Sequence, residues 1–359
     1  MISLRESIDD VRKRIEKIDY EILRMMANRT AAAVEMGQMK ATESLPLRAL
    51  SVEEKVIGRY IERAKEFGMS AESARQIAVL LIRESIEQQG KIPRPQLSKR
   101  MLIVGGNGRM GTWLCRFFAS RGHRIRVYDQ GENPNFPLEK DLERGVRDAE
   151  VVVLATPISA TPALLKQILD YEPKGLVFDI ASIKTPLTEA LKDGAGRGFK
   201  VCSMHPLFGP DTASIIDRNV VVCNCGSAAA VETAVALVDG ANIIEMDIEE
   251  HDVLMAYVLG LSHAVNIAFF ESLRQSGRGY GDLNRAASTT FRRQVETARD
   301  VASENAQLYY EIQHLNPHNQ DALSYLQQAV SDLKDAAAKG DRETFERMMA
   351  EGKEYFGGK

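Results

Sequence analysis

The sequence is most constrained where the apolar run Met101-Leu102-Ile103-Val104-Gly105 enters Gly106-Asn107-Gly108-Arg109-Met110-Gly111, followed by Thr112-Trp113-Leu114-Cys115-Arg116-Phe117-Phe118. A G-x-G-x-x-G spacing alone is weak evidence. Between a strand and a helix it has a mechanical meaning. The glycines permit a tight turn, the close approach of a pyrophosphate and close packing of helix on strand. The helix start offers unpaired amides and a positive dipole end to an anion. The next β-rich run, Arg124 to Tyr128, ends in Asp129, eighteen residues after Gly111. A carboxylate there accepts hydrogen bonds from adenosine ribose hydroxyls and repels a 2′-phosphate. Gln130-Gly131-Glu132 supply no arginine to attract one. The pattern favours NAD over NADP and makes Gly106, Gly108, Arg109, Met110, Gly111 and Asp129 candidate cofactor residues. The bland alternative is a glycine turn without a ligand.

Periodicity divides the 359 residues into three parts. Ile8, Val11, Ile15, Ile18, Ile22 and Met25 alternate spacings of three and four, the seam of a long amphipathic helix. The pattern breaks around Ser44–Ser51, at Leu45-Pro46. A second helix is expected from Val52 to Phe67, closed by Gly68, and a third from a Ser70 cap to Gln89. Gly90, Pro93 and Pro95 mark a boundary. Beyond it, short β-rich runs alternate with helical segments, which predicts a Rossmann-type doubly wound α/β domain with a largely parallel sheet. From about Glu249 the strands stop and helices continue to the C-terminus. His251 to Gln275 is apolar on most of its surface, which implies burial, against the chain itself or a second subunit, and Asp252 at its opening is expected to serve the helix N-terminus. The fold class is multidomain: residues 1–91 all-α, 92–99 a linker, 100–246 the Rossmann-type domain and 247–359 an all-α domain.

Composition excludes more than it identifies. An apolar fraction of 44% and a charged fraction of 27% are ordinary for a globular chain. A net charge of -4 gives no reason to expect nucleic acid or an anionic membrane. No signal-peptide core is expected at the start of the chain, and no apolar run is expected to reach the ~20 residues of a membrane span. Four irregularly spaced cysteines suit neither a disulfide framework nor a zinc site, and fit a reducing cytoplasm. His314 and His318 are four apart, but Pro317 interrupts any helix between them, so no metal is expected.

Ser203-Met204-His205-Pro206-Leu207-Phe208-Gly209-Pro210-Asp211 fixes one histidine at a strand end among turn-forming residues. In open α/β sheets ligands bind outside the carboxyl ends of the strands. Thr156-Pro157, Ser182 with Lys184, and His205 all fall at such ends, which makes Thr156 and Pro157 candidate cofactor residues and Lys184 a candidate substrate-binding residue. A histidine neutral near pH 7 suits removal of a hydroxyl proton while hydride leaves the same carbon. Ser182 could hold the ring in the useful tautomer. The alternative is a histidine that only packs a loop.

The blocks VGGNGRMG, ATPIS, DIASIK and MHPLFGPD, in this order and spacing, resemble prephenate dehydrogenase, and the N-terminal helices resemble the AroQ-type, all-helical chorismate mutase. Nearly the whole chain is thus similar to the family of bifunctional chorismate mutase–prephenate dehydrogenases of tyrosine biosynthesis. The resemblance implies rearrangement of chorismate to prephenate, then NAD-dependent oxidative decarboxylation to 4-hydroxyphenylpyruvate, by a homodimer whose last domain dimerises. It gives His205 the proton abstraction, Ser182 its support, and His263 a place in the substrate pocket. The ring carboxylate needs an arginine. Alignment on Gln307 to Ile312 puts Asp300 at the family's position, so Arg299 is the first candidate and Arg292 or Arg293 the next. Arg285, Arg292 and Arg299, seven apart, would share one face of a continuous helix.

In the mutase half Arg29 falls on an apolar seam position with no local carboxylate. An anionic ligand or pairing from another helix would account for it. The resemblance adds Lys40 and Gln89 as catalytic groups, and Arg12, Glu53 and Ser85 as substrate-binding ones, with Arg12 reaching a partner subunit's site. The chain departs from the family at Ala49 and Val52, where an aspartate and an arginine are usual; Arg48 lies close by. Three rivals stand beside this reading: a dehydrogenase with a weak or merely regulatory mutase-like domain, a preference for arogenate, and a non-enzymatic NAD-sensing module.

Overall fold

The computed structural model describes residues 7–43, 45, 47–92 and 98–357. Ser44 and Pro46 of the expected helix break, and residues 93–97 of the expected linker, lie outside them. The chain divides into two compact units. The first holds 1–156, 163–180 and 191–246, and the second 157–162, 181–190 and 247–359.

The first unit opens with three helices, α1 (Ile8–Thr42), α2 (Leu50–Glu66) and α3 (Ala71–Gly90). Ser7 and Asp10 form a reciprocal capping box at the start of α1, and the Ser70 hydroxyl caps α3 through the Ser73 amide. α2 starts two residues earlier than its apolar spacing suggests, with Ala49 at the N-cap and no side chain capping it. Both α1 and α2 pack on α3. The sequence seam of α1 is not covered: Ile8, Ile15, Ile18, Ile22 and Met25 are each more than half exposed.

The same unit contains a seven-stranded sheet in the order β2-β1-β3-β4-β5-β6-β7. Its strands are β1 (Arg100–Val104), β2 (Arg124–Tyr128), β3 (Val151–Leu154), β4 (Leu176–Asp179), β5 (Val201–Pro206), β6 (Asn219–Asn224) and β7 (Asn242–Asp247). β1 to β5 are mutually parallel, and β6 runs antiparallel to β5 with His205 opposite Val221. β3 and β4 are buried at every position, as expected where helices cover both faces of a parallel sheet. The helices of this layer are α4 (Arg109–Ser120), α5 (Leu142–Asp148), α6 (Thr161–Asp170), α7 (Thr188–Gly196) and α8 (Ala228–Leu237). Strand order reverses at β1, whose neighbours are β2 and β3, so the crevice for a ligand lies beyond the ends of β1 and β3. One apolar core joins sheet and bundle: Leu47, Ile82 and Ile86 belong to the same cluster as Phe118, Ile216 and Val238.

The second unit is helical. α9 (Ile248–Met255), a π-helical turn (Ala256–Leu261) and α10 (Ser262–Gln275) form one continuous rod, followed by α11 (Tyr280–Arg285), α12 (Thr289–Ser303), α13 (Ala306–Leu315), α14 (Asn319–Lys339) and α15 (Arg342–Tyr355). The π turn frees the Gly260 carbonyl, which accepts from Gln313 Nε2 at 2.8 Å. Val253, Leu254, Tyr257 and Val258 of the rod are exposed on the single chain, and sequence expectations need correction here in three places. The 28-residue rod Ile248–Gln275 is also long and apolar enough to cross a membrane by length and composition, a test that core helices of soluble proteins also pass. Arg285 does not share a helix with Arg292 and Arg299, because a turn capped by Ser288 separates α11 from α12. Asp252 lies inside α9, whose N-cap is Asp247, and does not serve the helix start.

Candidate functional sites

Two groups of polar side chains stand out in the first unit. The first lies between α1 and α3. Arg29 and Lys40 are eleven residues apart, about three helical turns, so they share one face of α1. Ser85 and Gln89, both buried, share a face of α3. Gly37 lets the two helices approach, since a Cβ there would lie 2.7 Å from Gln89 Cγ. Arg29 Nη1 donates to the Leu81 carbonyl at 2.7 Å and to Ser85 Oγ at 2.6 Å. Its partners are neutral oxygens from another helix, so its charge is solvated but not cancelled. Lys40 Nζ donates to the Leu47 carbonyl at 2.8 Å and meets Gln89 Oε1 at 3.4 Å. Glu53 is held by Arg48, which donates to both of its carboxylate oxygens, at 3.0 and 2.5 Å. Arg48 itself is pulled above its ordinary range, first by the hydrogen bond to Glu53, against the cost of burial, and is engaged by Asp217 and Asn242 as well. It is therefore not available in the place of the arginine missing at Val52. Arg12 stays at the surface, paired with Asp9 at 3.1 Å.

The second group lies at the carboxyl ends of the strands. Gly105 takes a positive φ of 86°. A Cβ on Gly111 would stand 2.1 Å from the Gly105 carbonyl oxygen, so only glycine lets α4 begin this close to β1. Gly108 is the N-cap of α4, and no side chain caps this helix start. Asp129 accepts from the Asn107 amide at 2.7 Å and the Gln130 amide at 2.6 Å, which sets its carboxylate beside the glycine loop. Thr156 lies just past β3; its methyl carbon would be 2.9 Å from a Cβ at Gly105. His205 is buried near the end of β5. The loop after it is fastened to α4. Trp113 Nε1 donates to the Thr212 carbonyl at 2.7 Å, its ring meets Phe208 edge-on at 5.0 Å, and Arg109 pairs with Asp211 at 2.9 Å. Glycine loop and histidine loop thus share one support. Ser203 Oγ bonds the fully buried Asp179 at 2.5 Å, a contact between adjacent strand ends that no local pattern signals.

In the second unit, Ser182 is half-buried on the loop that also carries Lys184. Lys184 is fully buried, with its ammonium 2.6 Å from the Ala181 carbonyl. Asp252 holds this loop, accepting from the Lys184 amide at 2.9 Å, the Thr185 hydroxyl at 2.6 Å and His251 Nδ1 at 2.7 Å. Burial alone would raise the Asp252 pKa, but the bonds from His251, Thr185 and Lys184 outweigh it and leave the group below its usual range. Pro157 precedes Ile158 and Ser159, which donate to the buried Glu311 at 3.0 and 2.6 Å. The sequence reading missed Asp252 in this role, and Glu311 altogether, because their partners lie 68 and 153 residues away. His263 stacks on Tyr309 at 4.2 Å, and its buried Nδ1 has no hydrogen-bond partner among the described residues. Burial lowers its pKa, so the ring is neutral at pH 7. Arg299 is exposed and donates to the Tyr280 hydroxyl at 2.7 Å, while Arg292 and Arg293 on the same helix are exposed too. His314 stacks on Tyr310 and His318 precedes α14.

Comparison with known proteins covers both units. Residues 11–90 match the type II chorismate mutase model, 124–238 the nucleotide-binding domain of prephenate dehydrogenase, and 247–351 its dimerisation domain. The glycine loop lies just before the second of these spans. The T-protein of Haemophilus influenzae is 23% identical over 99% of this chain and 94% of its own length. Two solved structures share the fold. Prephenate dehydrogenase from A. aeolicus, in complex with hydroxyphenyl propionate and NAD+, is 19% identical with a TM-score of 0.56, over 72% of this chain and 97% of that one. Synechocystis arogenate dehydrogenase is 20% identical with a TM-score of 0.55, over 70% and 96%. A mutase bundle, a nucleotide-binding sheet and a helical dimerisation domain in this order place the chain in the family of bifunctional chorismate mutase–prephenate dehydrogenases.

Proposed function

We propose that Arg29, Lys40, Ser85 and Gln89 rearrange chorismate to prephenate, and that His205 serves the NAD-dependent oxidation of prephenate to 4-hydroxyphenylpyruvate. The observation that carries this reading is the meeting of Lys40 and Gln89 at 3.4 Å between α1 and α3, with the uncancelled charge of Arg29 on the same helix face. The rearrangement needs no covalent step. It needs donors aimed at the ether oxygen as charge develops there, and cations for two carboxylates. Lys40 and Gln89 supply the first and Arg29 the second. Ala49 and Val52 weaken substrate binding without removing these groups, so the bundle is a catalyst and not only a regulator.

For the oxidation, NAD suits the loop, because the glycine cradle closed to any Cβ, the start of α4 with no side-chain cap and the Asp129 carboxylate match a pyrophosphate and an adenosine ribose. Bound there, NAD supplies the hydride acceptor. His205 takes the hydroxyl proton as the ring carbon loses hydride; carbon dioxide then leaves and the ring becomes aromatic. The resemblance gives Ser182 the support of that histidine, and His263, Arg299 and Arg292 contacts to the substrate. Neutral His263 with an unpartnered Nδ1 suits such a contact. Lys184, fixed under its loop, acts by shaping the segment that carries Ser182.

The uncovered seam of α1 supports a homodimer in which a second copy buries Ile15, Ile18 and Ile22 and receives Arg12 in its pocket. Four buried free cysteines suit a reducing cytoplasm. The test is product formation by the purified protein. Chorismate without NAD should yield prephenate, and adding NAD should carry it to 4-hydroxyphenylpyruvate. His205→Asn should stop the second reaction alone. Absence of rearrangement above the uncatalysed rate would reduce the bundle to a scaffold, and undiminished oxidation by the variant would remove His205 from the mechanism.

A further inference from the structure

We infer that Asp239 and Asp217, two carboxylates of the nucleotide-binding domain, are positioning residues for the chorismate rearrangement. The inference rests on the mutase reading above. Leu47 stands between the two domains. Its amide donates to Asp239 Oδ2 at 2.7 Å, its side chain is buried in the core cluster with Ile215, Ile216 and Val238, and its carbonyl accepts from Lys40 Nζ. A residue fixed at both its amide and its side chain has a fixed carbonyl. The ammonium that must face the ether oxygen is thereby located by a carboxylate 192 residues from Leu47 in sequence. Asp239 is braced in turn, since Arg121 Nη2 donates to its backbone carbonyl at 2.7 Å while the guanidinium lies over the Phe117 ring.

The next residue repeats the arrangement. Arg48 is only 12% exposed and lies between Glu53 of the mutase and Asp217 and Asn242 of the sheet domain, with contacts of 2.5, 3.1 and 2.8 Å. Arg83 of α3 also reaches Asp217, at 3.2 Å. Asp217 holds a left-handed backbone with φ 59°, unusual for a residue with a side chain, and Asn242 Nδ2 donates to its carbonyl at 3.3 Å. Arg48 therefore does two things at once. It neutralises Glu53, whose charge would otherwise repel a dianionic substrate, and it anchors the start of α2, where Ala49 provides no cap. The structural support that an aspartate at position 49 would give from within the bundle comes here from the neighbouring domain. Lys40 and Glu53 are the two mutase groups held in this way; Arg29, Ser85 and Gln89 are held within the bundle itself.

The test uses the full-length protein and follows both reactions in each variant. Asp239→Ala should lower the kcat of rearrangement by about ten- to a hundredfold, the scale of a displaced catalytic group, with KM for chorismate little changed. Asp217→Ala should act mainly on KM, through Glu53 and Arg48. Dehydrogenase kcat and NAD affinity should stay at the parent values in both, which also reports that the fold is intact. Asp239→Asn keeps an oxygen for the Leu47 amide and should restore most of the lost kcat, a rescue that a general loosening of the interface would not give. If Asp239→Ala does not fold, the Asp239→Asn and Asp217→Ala comparison carries the same test, with a KM rise confined to Asp217→Ala expected. Lys40→Ala separates the two levels of inference. A variant lacking Lys40 that still rearranges chorismate would overturn the mutase assignment, whereas loss in Lys40→Ala beside parental kcat and KM in the aspartate variants would overturn the positioning role alone.

Discussion

Gly111→Ala tests the nucleotide site at its tightest point. The added methyl would stand 2.1 Å from the Gly105 carbonyl oxygen and 2.8 Å from Gly106 Cα, both backbone atoms that cannot rotate away. A carbon and a carbonyl oxygen settle at about 3.3 Å or more, so the start of α4 must withdraw from the loop by about 1 Å. Overpacking of this kind costs about 1–3 kcal/mol of stability. The same displacement carries the first-turn amides away from the pyrophosphate, and losing one hydrogen bond to a charged group removes about 1.5–3 kcal/mol, a ten- to hundredfold weaker Kd for NAD. The assay is built into the chain, because its single tryptophan, Trp113, sits two residues beyond the substitution and reports binding by fluorescence. Calorimetry gives Kd independently, and thermal unfolding gives the stability term. Chorismate rearrangement should be unchanged and serves as the internal control. A variant that binds NAD with parental affinity and unfolds at the parental temperature would refute the close-packing argument.

Two further outcomes follow from local chemistry. Ala49→Asp places a carboxylate at the N-cap of α2, where no side chain caps the helix, and should raise stability by about 1 kcal/mol, read as a higher urea midpoint. Glu139 is buried, and the hydrogen bond from Arg144, together with those from the Asp141 amide and Arg126, holds its pKa at about 2 despite desolvation. Its contribution to stability is therefore complete above pH 4.5 and disappears as pH falls from there toward about 2. Linkage sets its size at about 3 kcal/mol at most, reduced toward 1 because both arginines are more than half exposed. Urea unfolding of Glu139→Gln should run below the parent at pH 7 and converge with it near pH 2; a constant gap across that range would exclude this carboxylate as the source.

What could be read in the sequence was local. The glycine spacing before a helix, the Asp129 strand end and the Ser70 cap each use neighbours within a few residues or one supersecondary unit. The histidine at the end of β5 was legible because prolines and a glycine follow it closely. Contacts made across the chain leave no periodicity. Asp239 with Leu47, Asp217 with Arg48, Asp252 with Lys184 and Glu311 with Ile158 join residues far apart in sequence, and each carboxylate alone reads as an ordinary surface charge. The seam of α1 correctly marks a helix with an apolar face, but nothing in its spacing says what covers that face. The π turn in the second unit also has no spacing signature, since one additional residue in a turn shifts the helical phase without breaking the apolar run.

The burial of Leu47 has an evolutionary consequence. A chain divided between α3 and β1 would leave Leu47, Ile82 and Ile86 bare on one product and Ile216 and Val238 bare on the other. Each half would then carry an adhesive patch, and both would need compensating polar substitutions before they could persist apart. Separating the two domains into independent chains would therefore require several coordinated changes. The fusion acts as a ratchet, maintained by the solubility of its parts whether or not any intermediate passes directly between them.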